Sequence, residues 1–294
     1  MNFKSYLSID FEDFCYDYRK MYGIKFDEKI NKKSIDKSYY LIKKIIVKYL
    51  SSSKITFFCT GILAKKYPEI IKKISDDGHE IACHYFYHNL AYNDNIEDFE
   101  NNIIKAKYYL NKASGQTIKG FRAPFFSIKK ENIEHINVLS KYFDYDSSLT
   151  FNSSTELNKF IYDNSIKNFK LYPVFNKNYM GLFNIKIGGT YLKFLSSNYL
   201  ISLLDTSIKN NIIPIIYLHP YEFMPDKSFF VNYNQINNLS INKKLFVYFN
   251  QFRWHFFNQG IIYKLSKIFS KYSSAGKMCD INYDDFFNDN LSRT

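Results

Sequence analysis

Apolar and polar positions along this chain follow two rhythms. Short unbroken apolar runs alternate with longer stretches whose apolar residues recur at helical spacing. Residues 6–9 predict a first core strand that ends in acids. Residues 37–50 have helical spacing, and 55–59 predict a buried strand closed by Thr60-Gly61. Residues 62–74 are again helical, with Pro68 near a helix start or at a kink. Asp77-Gly78 is a turn signal, and 80–83 predict a strand. The alternation goes on with a helix over 96–111, a strand over 119–121 and a helix over 132–143. A strand over 184–187 ends in Gly188-Gly189, a helix covers 197–209, and 212–218 form a strongly apolar strand. Repeated strand–helix units imply an α/β fold with a mostly parallel sheet, open or closed into a barrel.

Beyond about residue 226 the rhythm changes. Residues 243–257 and 261–272 predict helices rich in Lys and aromatics, and 280–294 are acidic, polar and expected to fray. The chain therefore divides into 1–225 and a helical extension over 226–294. That extension either packs on the barrel or lies at a membrane surface. Phe252, Trp254, Phe256 and Phe257 stand there beside Arg253, Lys264, Lys267 and Lys271, a mixture suited to an anionic leaflet. No apolar run is long enough for a spanning helix. Met1-Asn2-Phe3-Lys4 leads straight into the first strand, with no signal-peptide pattern. The expected location is the cytoplasm, or peripherally the inner face of the membrane.

Composition changes this picture little. With 46% hydrophobic and 23% charged residues, a packed core is expected. Net charge is +12. Such a surface suits nucleic acid, anionic lipid or anionic glycan. The lysines are spread along the chain and no nucleic-acid motif is present, so solvated helix faces account for much of the charge. No nucleic-acid partner is expected. The four cysteines (Cys15, Cys59, Cys83 and Cys279) form no Cys-x-x-Cys pair and read as free thiols in a reducing compartment. Cys83 adjoins His84, but neighbours on a strand point to opposite sides.

Candidate chemistry gathers at the strand ends. Asp10, Glu12 and Asp13 close the first strand, where three carboxylates repel one another unless a cation or arginine compensates. The alternative is a helix N-cap with acids in its first turn, but Arg122 and the histidines together offer a better account. His84 and His88 lie four residues apart, on one helical turn or in a loop, and can offer two nitrogens to one cation. Arg122 can hold a carboxylate bidentately and keep it ionised, or form a structural ion pair. His219 ends the most apolar strand and is a candidate general acid. Asp146 either tunes His219 or caps a turn. His79 and His135 fit surface or turn positions, and His255 lies in the extension.

These segments resemble the polysaccharide deacetylase family, the NodB-homology enzymes of carbohydrate esterase family 4. The similar pieces are LSIDFEDF (7–14), TFFCTG (56–61), GHEIACHYFYH (78–88), GFRAPFFSI (120–128), YDSSL (145–149) and IIYLHPYEF (215–223). IKIGGTYLKFL (185–195) and the stretch 252–278 are similar to a subfamily with a C-terminal extension linked to bacterial exopolysaccharide synthesis. The resemblance implies a distorted (β/α) barrel of about seven strands. It also implies a divalent metal, usually zinc. By resemblance, Asp10 is the general base, His84 and His88 are metal ligands, and Arg122 holds the base. His219 is the general acid and Asp146 its partner. The third ligand is Asp13 or Glu12, with Asp13 preferred. Where the family has Arg-x-Pro-Tyr, this chain has Arg-Ala-Pro-Phe. Pro124 and Phe125 would then stand at the oxyanion, with a backbone N–H as donor.

The implied reaction is hydrolysis of an N-acetyl group, a carbon–nitrogen bond that is not a peptide bond. Its substrate would be an N-acetylated glycan or a lipid-linked saccharide. Two other readings remain. One is an allantoinase-like hydrolase of small amides. The other is an inactive glycan- or membrane-binding protein.

Overall fold

The computed structural model describes residues 3–24, 28–179, 183–224, 227 and 230–291. Strand β1 (Phe3–Phe11) is followed by helices α1 (Phe14–Tyr22) and α2 (Glu28–Tyr49). Strand β2 (Thr56–Cys59) leads to α3 (Gly61–Lys66) and α4 (Pro68–Asp76). The helical stretch expected here divides at Pro68, which takes the helix-start alternative, because proline has no N–H for an interior helix turn but suits a first position. Next come β3 (Glu80–Cys83), α5 (Ile96–Ser114), β4 (Gly120–Phe121), α6 (Ile133–Tyr142) and β5 (Tyr145–Asp146). They are followed by β6 (Thr150–Phe151), α7 (Ser154–Asp163), β7 (Lys170–Leu171), β8 (Val174–Tyr179) and β9 (Phe183–Lys186). Then come α8 (Gly189–Phe194), α9 (Ser197–Lys209) and β10 (Ile215–Leu218). The chain continues through α10 (Tyr233–Ile236), α11 (Ile241–His255), α12 (Asn258–Lys271), β11 (Tyr272–Ser274) and α13 (Tyr283–Leu291).

Seven parallel strands form the main sheet in the order β10-β1-β2-β3-β4-β5-β7, curved as a distorted (β/α) barrel with surrounding helices. Strand periodicity sorts its side chains. Leu7, Ile9, Phe11, Phe57, Cys59, Ile81 and Phe121 belong to the main apolar core under the helices. Tyr6, Phe58, Ala82, Tyr145 and Tyr217 form a second cluster on the opposite face. Gly120 is required beneath this second face, because a Cβ there would lie 2.0 Å from the Tyr145 ring. The strand expected over 184–187 is β9, paired antiparallel with β8 in a small separate sheet.

The C-terminal extension is bound to the sheet. Strand β11 pairs parallel with the start of β1, and Ile261, Leu265, Ile268 and Tyr272 join the main core. Residues 283–291 form α13 rather than a frayed end, anchored by buried Ile281 and Phe286. His79 and His135, expected at surface or turn positions, are both buried, and His79 directly follows the Asp77-Gly78 turn. His79 Nδ1 accepts from the Ile55 N–H at 3.2 Å, which ties it to the loop before β2. All four cysteines are free thiols, and only Cys279 is not fully buried. Among the described residues, no helix is long and apolar enough to cross a membrane.

Candidate active site

Strand β1 delivers two carboxylates to one place. Its alternation sends Phe11 outward into the main core and leaves Asp10 and Glu12 on the opposite side. Asp13 comes next and starts a helix instead. Its Oδ1 accepts the Tyr16 N–H at 2.9 Å as the N-cap of α1. Burial pushes the Asp13 carboxyl up to about 6.

Glu12, His84 and His88 each offer one ligand atom, and these atoms lie within 4.8 Å of one another. Asp13 is not in this group, so the structure brings Glu12 to the histidines in its place. His84 follows β3 directly. Its Nδ1 lies 2.8 Å from the Arg122 carbonyl oxygen, which selects the tautomer with the proton on Nδ1. Nε2 is then a bare acceptor, buried and without a hydrogen-bond partner among the described residues. A buried imidazole nitrogen with a free lone pair suits a cation. Burial, only partly opposed by Asp10, lowers the His84 pKa to about 4, so the ring is neutral.

His88 sits in a loop, not a helix; Tyr85, within the same His-to-His segment, has left-handed backbone at φ 64°. The His88 Nε2 meets the Glu12 carboxylate, and Nδ1 lies 3.5 Å from Asp17 Oδ2. Asp17, on α1, was not expected here. Cys83, beside His84, is buried in the main core and stays out of the group.

Arg122 is completely buried. Its Nη1 donates to Asp10 Oδ1 at 2.7 Å and to Ser8 Oγ at 2.8 Å. Nη2 donates to Ser147 Oγ at 2.9 Å, and the guanidinium lies 4.1 Å from the Phe58 ring centroid. Burial alone would raise the Asp10 pKa. Arg122, with His84 and His219, outweighs it and holds the carboxyl below its usual range.

His219 follows β10. Its Nε2 is 4.0 Å from Asp10 Oδ2. Asp146, expected as its partner, is elsewhere. Asp146 is in register with outward-facing Phe121 and binds the Ser148 Oγ and N–H at 2.5 and 3.0 Å. This is the turn-capping alternative. Glu222 stands by His219 instead. It accepts the His219 backbone N–H at 2.9 Å and lies 3.6 Å from Nδ1. Burial works against a charged His219, but Glu222, with Glu12 and Asp10, raises its pKa to about 9. The ring also stacks on Tyr221, which stacks on Trp254 of α11.

These groups face a cavity of about 640 Å³, shared by Asp10, Glu12, Asp17, His88 and His219. Phe125 stands at its edge, 54% exposed, with its ring 4.4 Å from that of His88. Phe125 and Phe126 both have positive φ, an uncommon backbone held by the Pro124 turn. Gly189 and Tyr217 line the cavity, and the preceding Gly188 packs so close to Tyr217 that a Cβ would meet the Tyr217 carbonyl oxygen at 2.0 Å. A larger cavity, about 790 Å³, opens between α7, β7 and α13 and contains none of these groups.

Residues 20–141 match the family model described as Polysaccharide deacetylase. An 81-residue segment, 28% of the chain, is 35% identical to a peptidoglycan-N-acetylglucosamine deacetylase of Bacillus cereus. That segment spans 30% of the relative, under a third of its length. A family 4 carbohydrate esterase from Streptomyces lividans, solved with acetate, is similar over 93% of this chain and 92% of its own, at 12% identity and TM-score 0.47. A CE4-family pseudoenzyme from Bacillus anthracis is similar over 94% of this chain and 65% of its own, at 13% identity and TM-score 0.45.

Proposed function

We propose, from the premise that this chain carries a polysaccharide deacetylase domain of the CE4 type, that it is a metal-dependent hydrolase removing N-acetyl groups from a glycan. The observation that carries this reading is the bare, buried Nε2 of His84 beside Glu12 and His88. A divalent cation, zinc by the chemistry of two imidazoles and a carboxylate, fits that donor set. His84, His88 and Glu12 would hold it. When bound, such a cation polarises the amide carbonyl and makes water more acidic.

The remaining chemistry belongs to the chain. Asp10 accepts the proton of the attacking water. Its ionisation, maintained by Arg122, supports that role. His219 donates a proton to the departing nitrogen, and a pKa raised to about 9 keeps that proton available at neutral pH. Glu222 supplies the charge we assign to tuning His219. Pro124 sets the turn that brings the Phe125 backbone to the cavity edge, where an N–H can meet the developing oxyanion. The products are acetate and an amino sugar.

The substrate we favour is an N-acetylated sugar of a bacterial surface glycan, taken as an intracellular, lipid-linked precursor. The tyrosines and phenylalanines of the cavity suit the faces of sugar rings. An allantoinase-like reaction without metal leaves the paired histidines and Glu12 unexplained. Acetate release from N-acetylhexosamine oligosaccharides, with metal content measured on the same protein, tests the proposal. Release by metal-loaded protein supports it, and none from any oligomer at full metal occupancy would count against it.

A further inference from the structure

Helix α11 is seated the wrong way round for a helix that ends in water. Its buried face is partly polar: Val247, Asn250 and Gln251. Asn250 donates to the Tyr22 hydroxyl at 2.5 Å, and Gln251 accepts the Val231 N–H at 2.7 Å. Its outward face is apolar: Ile241, Leu245, Phe249 and Phe252 are 75%, 64%, 58% and 55% exposed. Their spacing of four, four and three puts them in one stripe. Phe246 and Tyr248 widen it. Exposed Phe257 and Phe194 extend the aromatic surface beyond the helix end, with ring centroids 5.8 Å apart. Isolated exposed apolar residues need no explanation, whereas a contiguous set marks an interaction surface.

Charge identifies the partner. From Lys227 to Cys279 the chain has no Asp or Glu and eight Lys or Arg. Lys243 and Arg253 are exposed on α11 itself, Lys267 is exposed on the next helix, α12, and Lys244 lies 5.2 Å from the ring centroid of Tyr233. Aromatic and aliphatic side chains on a stretch of chain whose only charges are cations match a negative plane. A second copy of the same face would bring cation against cation. Not every lysine expected to face a membrane is available. Lys264 donates to the Leu192 and Lys193 carbonyls, and Lys271 pairs with Asp205 at 2.8 Å.

The stripe also adjoins the active site. Phe246, Phe249, Asn250, Arg253 and Trp254 of α11 line the 640 Å³ cavity. We propose that the outer face of α11 docks on an anionic bilayer and sets the cavity mouth at the lipid interface. The inference deepens the lipid-linked substrate proposed above, but the docking surface itself stands on geometry and charge alone.

Vesicle co-sedimentation of the full chain tests it. Binding to phosphatidylglycerol-rich vesicles should exceed binding to phosphatidylcholine vesicles about tenfold, and weaken as salt rises from ~0.1 to ~0.5 M. Leu245→Glu/Phe252→Glu should reduce binding about tenfold or more, with an unchanged melting temperature because both side chains are exposed. Lys243→Glu/Lys267→Glu should reduce binding to anionic vesicles. Equal binding to both vesicle types, no binding, or full binding by Leu245→Glu/Phe252→Glu would overturn the proposal. So would self-association abolished by Leu245→Glu/Phe252→Glu in a chain that ignores vesicles. Acetate release from a short soluble oligosaccharide is measured separately and should be unaffected by these changes. Vesicle binding without acetate release would contradict the proposed reaction and leave the docking surface intact.

Discussion

The carbonyl oxygen of Arg122 lies 2.8 Å from Nδ1 of His84, while the guanidinium of the same arginine holds Asp10 at 2.7 Å. One residue thus reaches two parts of the site through two different groups. Its main chain orients a proposed ligand, and its side chain keeps a proposed base ionised.

The two groups separate by mutation. Arg122→Lys keeps the carbonyl and a positive charge but loses the fork that spans Asp10, Ser8 and Ser147. It should retain bound metal and lose turnover by about 10²-fold. Arg122→Met strands a buried carboxylate and should cost roughly 3–5 kcal/mol. Metal content, initial rate and urea unfolding of the two variants check this. Loss of metal from an otherwise folded Arg122→Lys would contradict it.

Glu12 and Asp13 should differ sharply. Glu12→Ala should weaken zinc binding by at least about 100-fold, the upper end of what a residue behind the ligands costs. Asp13→Ala should keep the metal and lose about 1 kcal/mol of stability, because it removes the cap of α1. Calorimetric zinc titration and thermal melts distinguish them. The opposite pattern would return the ligand role to Asp13.

This distinction has a trace in the sequence. Asp-Phe-Glu-Asp continues a strand whose side chains alternate, and parity puts Asp10 with Glu12. Asp13 stands where a helix N-cap is expected, and it caps α1. The strand–helix order was legible because its apolar runs are long and regular. Helix α1 and strands β6, β7 and β8 were not, since β6 and β7 bury one residue each and β8 two, and their runs are short or polar. Asp17 and Glu222 could not be reached from spacing alone. Both depend on where α1 and the turn after β10 fold back onto the histidines.

Glu222 should set the pH range of His219. Its negative charge raises the His219 pKa, so Glu222→Gln should lower it. The protonated acid is then lost at lower pH, and the alkaline limb of kcat/KM should move down. Asp146→Asn should leave that limb in place and reduce stability instead. A pH–rate profile of each variant, with melting temperatures, checks the assignment. An alkaline limb unmoved by Glu222→Gln would contradict it.

His79 should make stability fall in acid. Burial, aided by Lys54, depresses its pKa from 6.5 to about 4 in the folded chain. Between those values the unfolded state binds more protons, so stability drops as pH falls from 6.5 towards 4 and is complete above 6.5. The loss should approach roughly 3 kcal/mol. Unfolding measured across this window should show a shallower slope for His79→Asn. Parallel slopes for the two proteins would contradict the assignment.

The central claim is that the histidine–carboxylate cluster holds a metal while Asp10 performs the proton transfer. Zinc per chain and acetate released from an N-acetylglucosamine oligomer, measured together in wild type, Asp10→Asn and His84→Ala/His88→Ala, test it most directly. The account predicts about one zinc and turnover in wild type. It predicts zinc without turnover in Asp10→Asn, and neither in His84→Ala/His88→Ala. Full zinc occupancy in His84→Ala/His88→Ala, or wild-type turnover by Asp10→Asn, would contradict it.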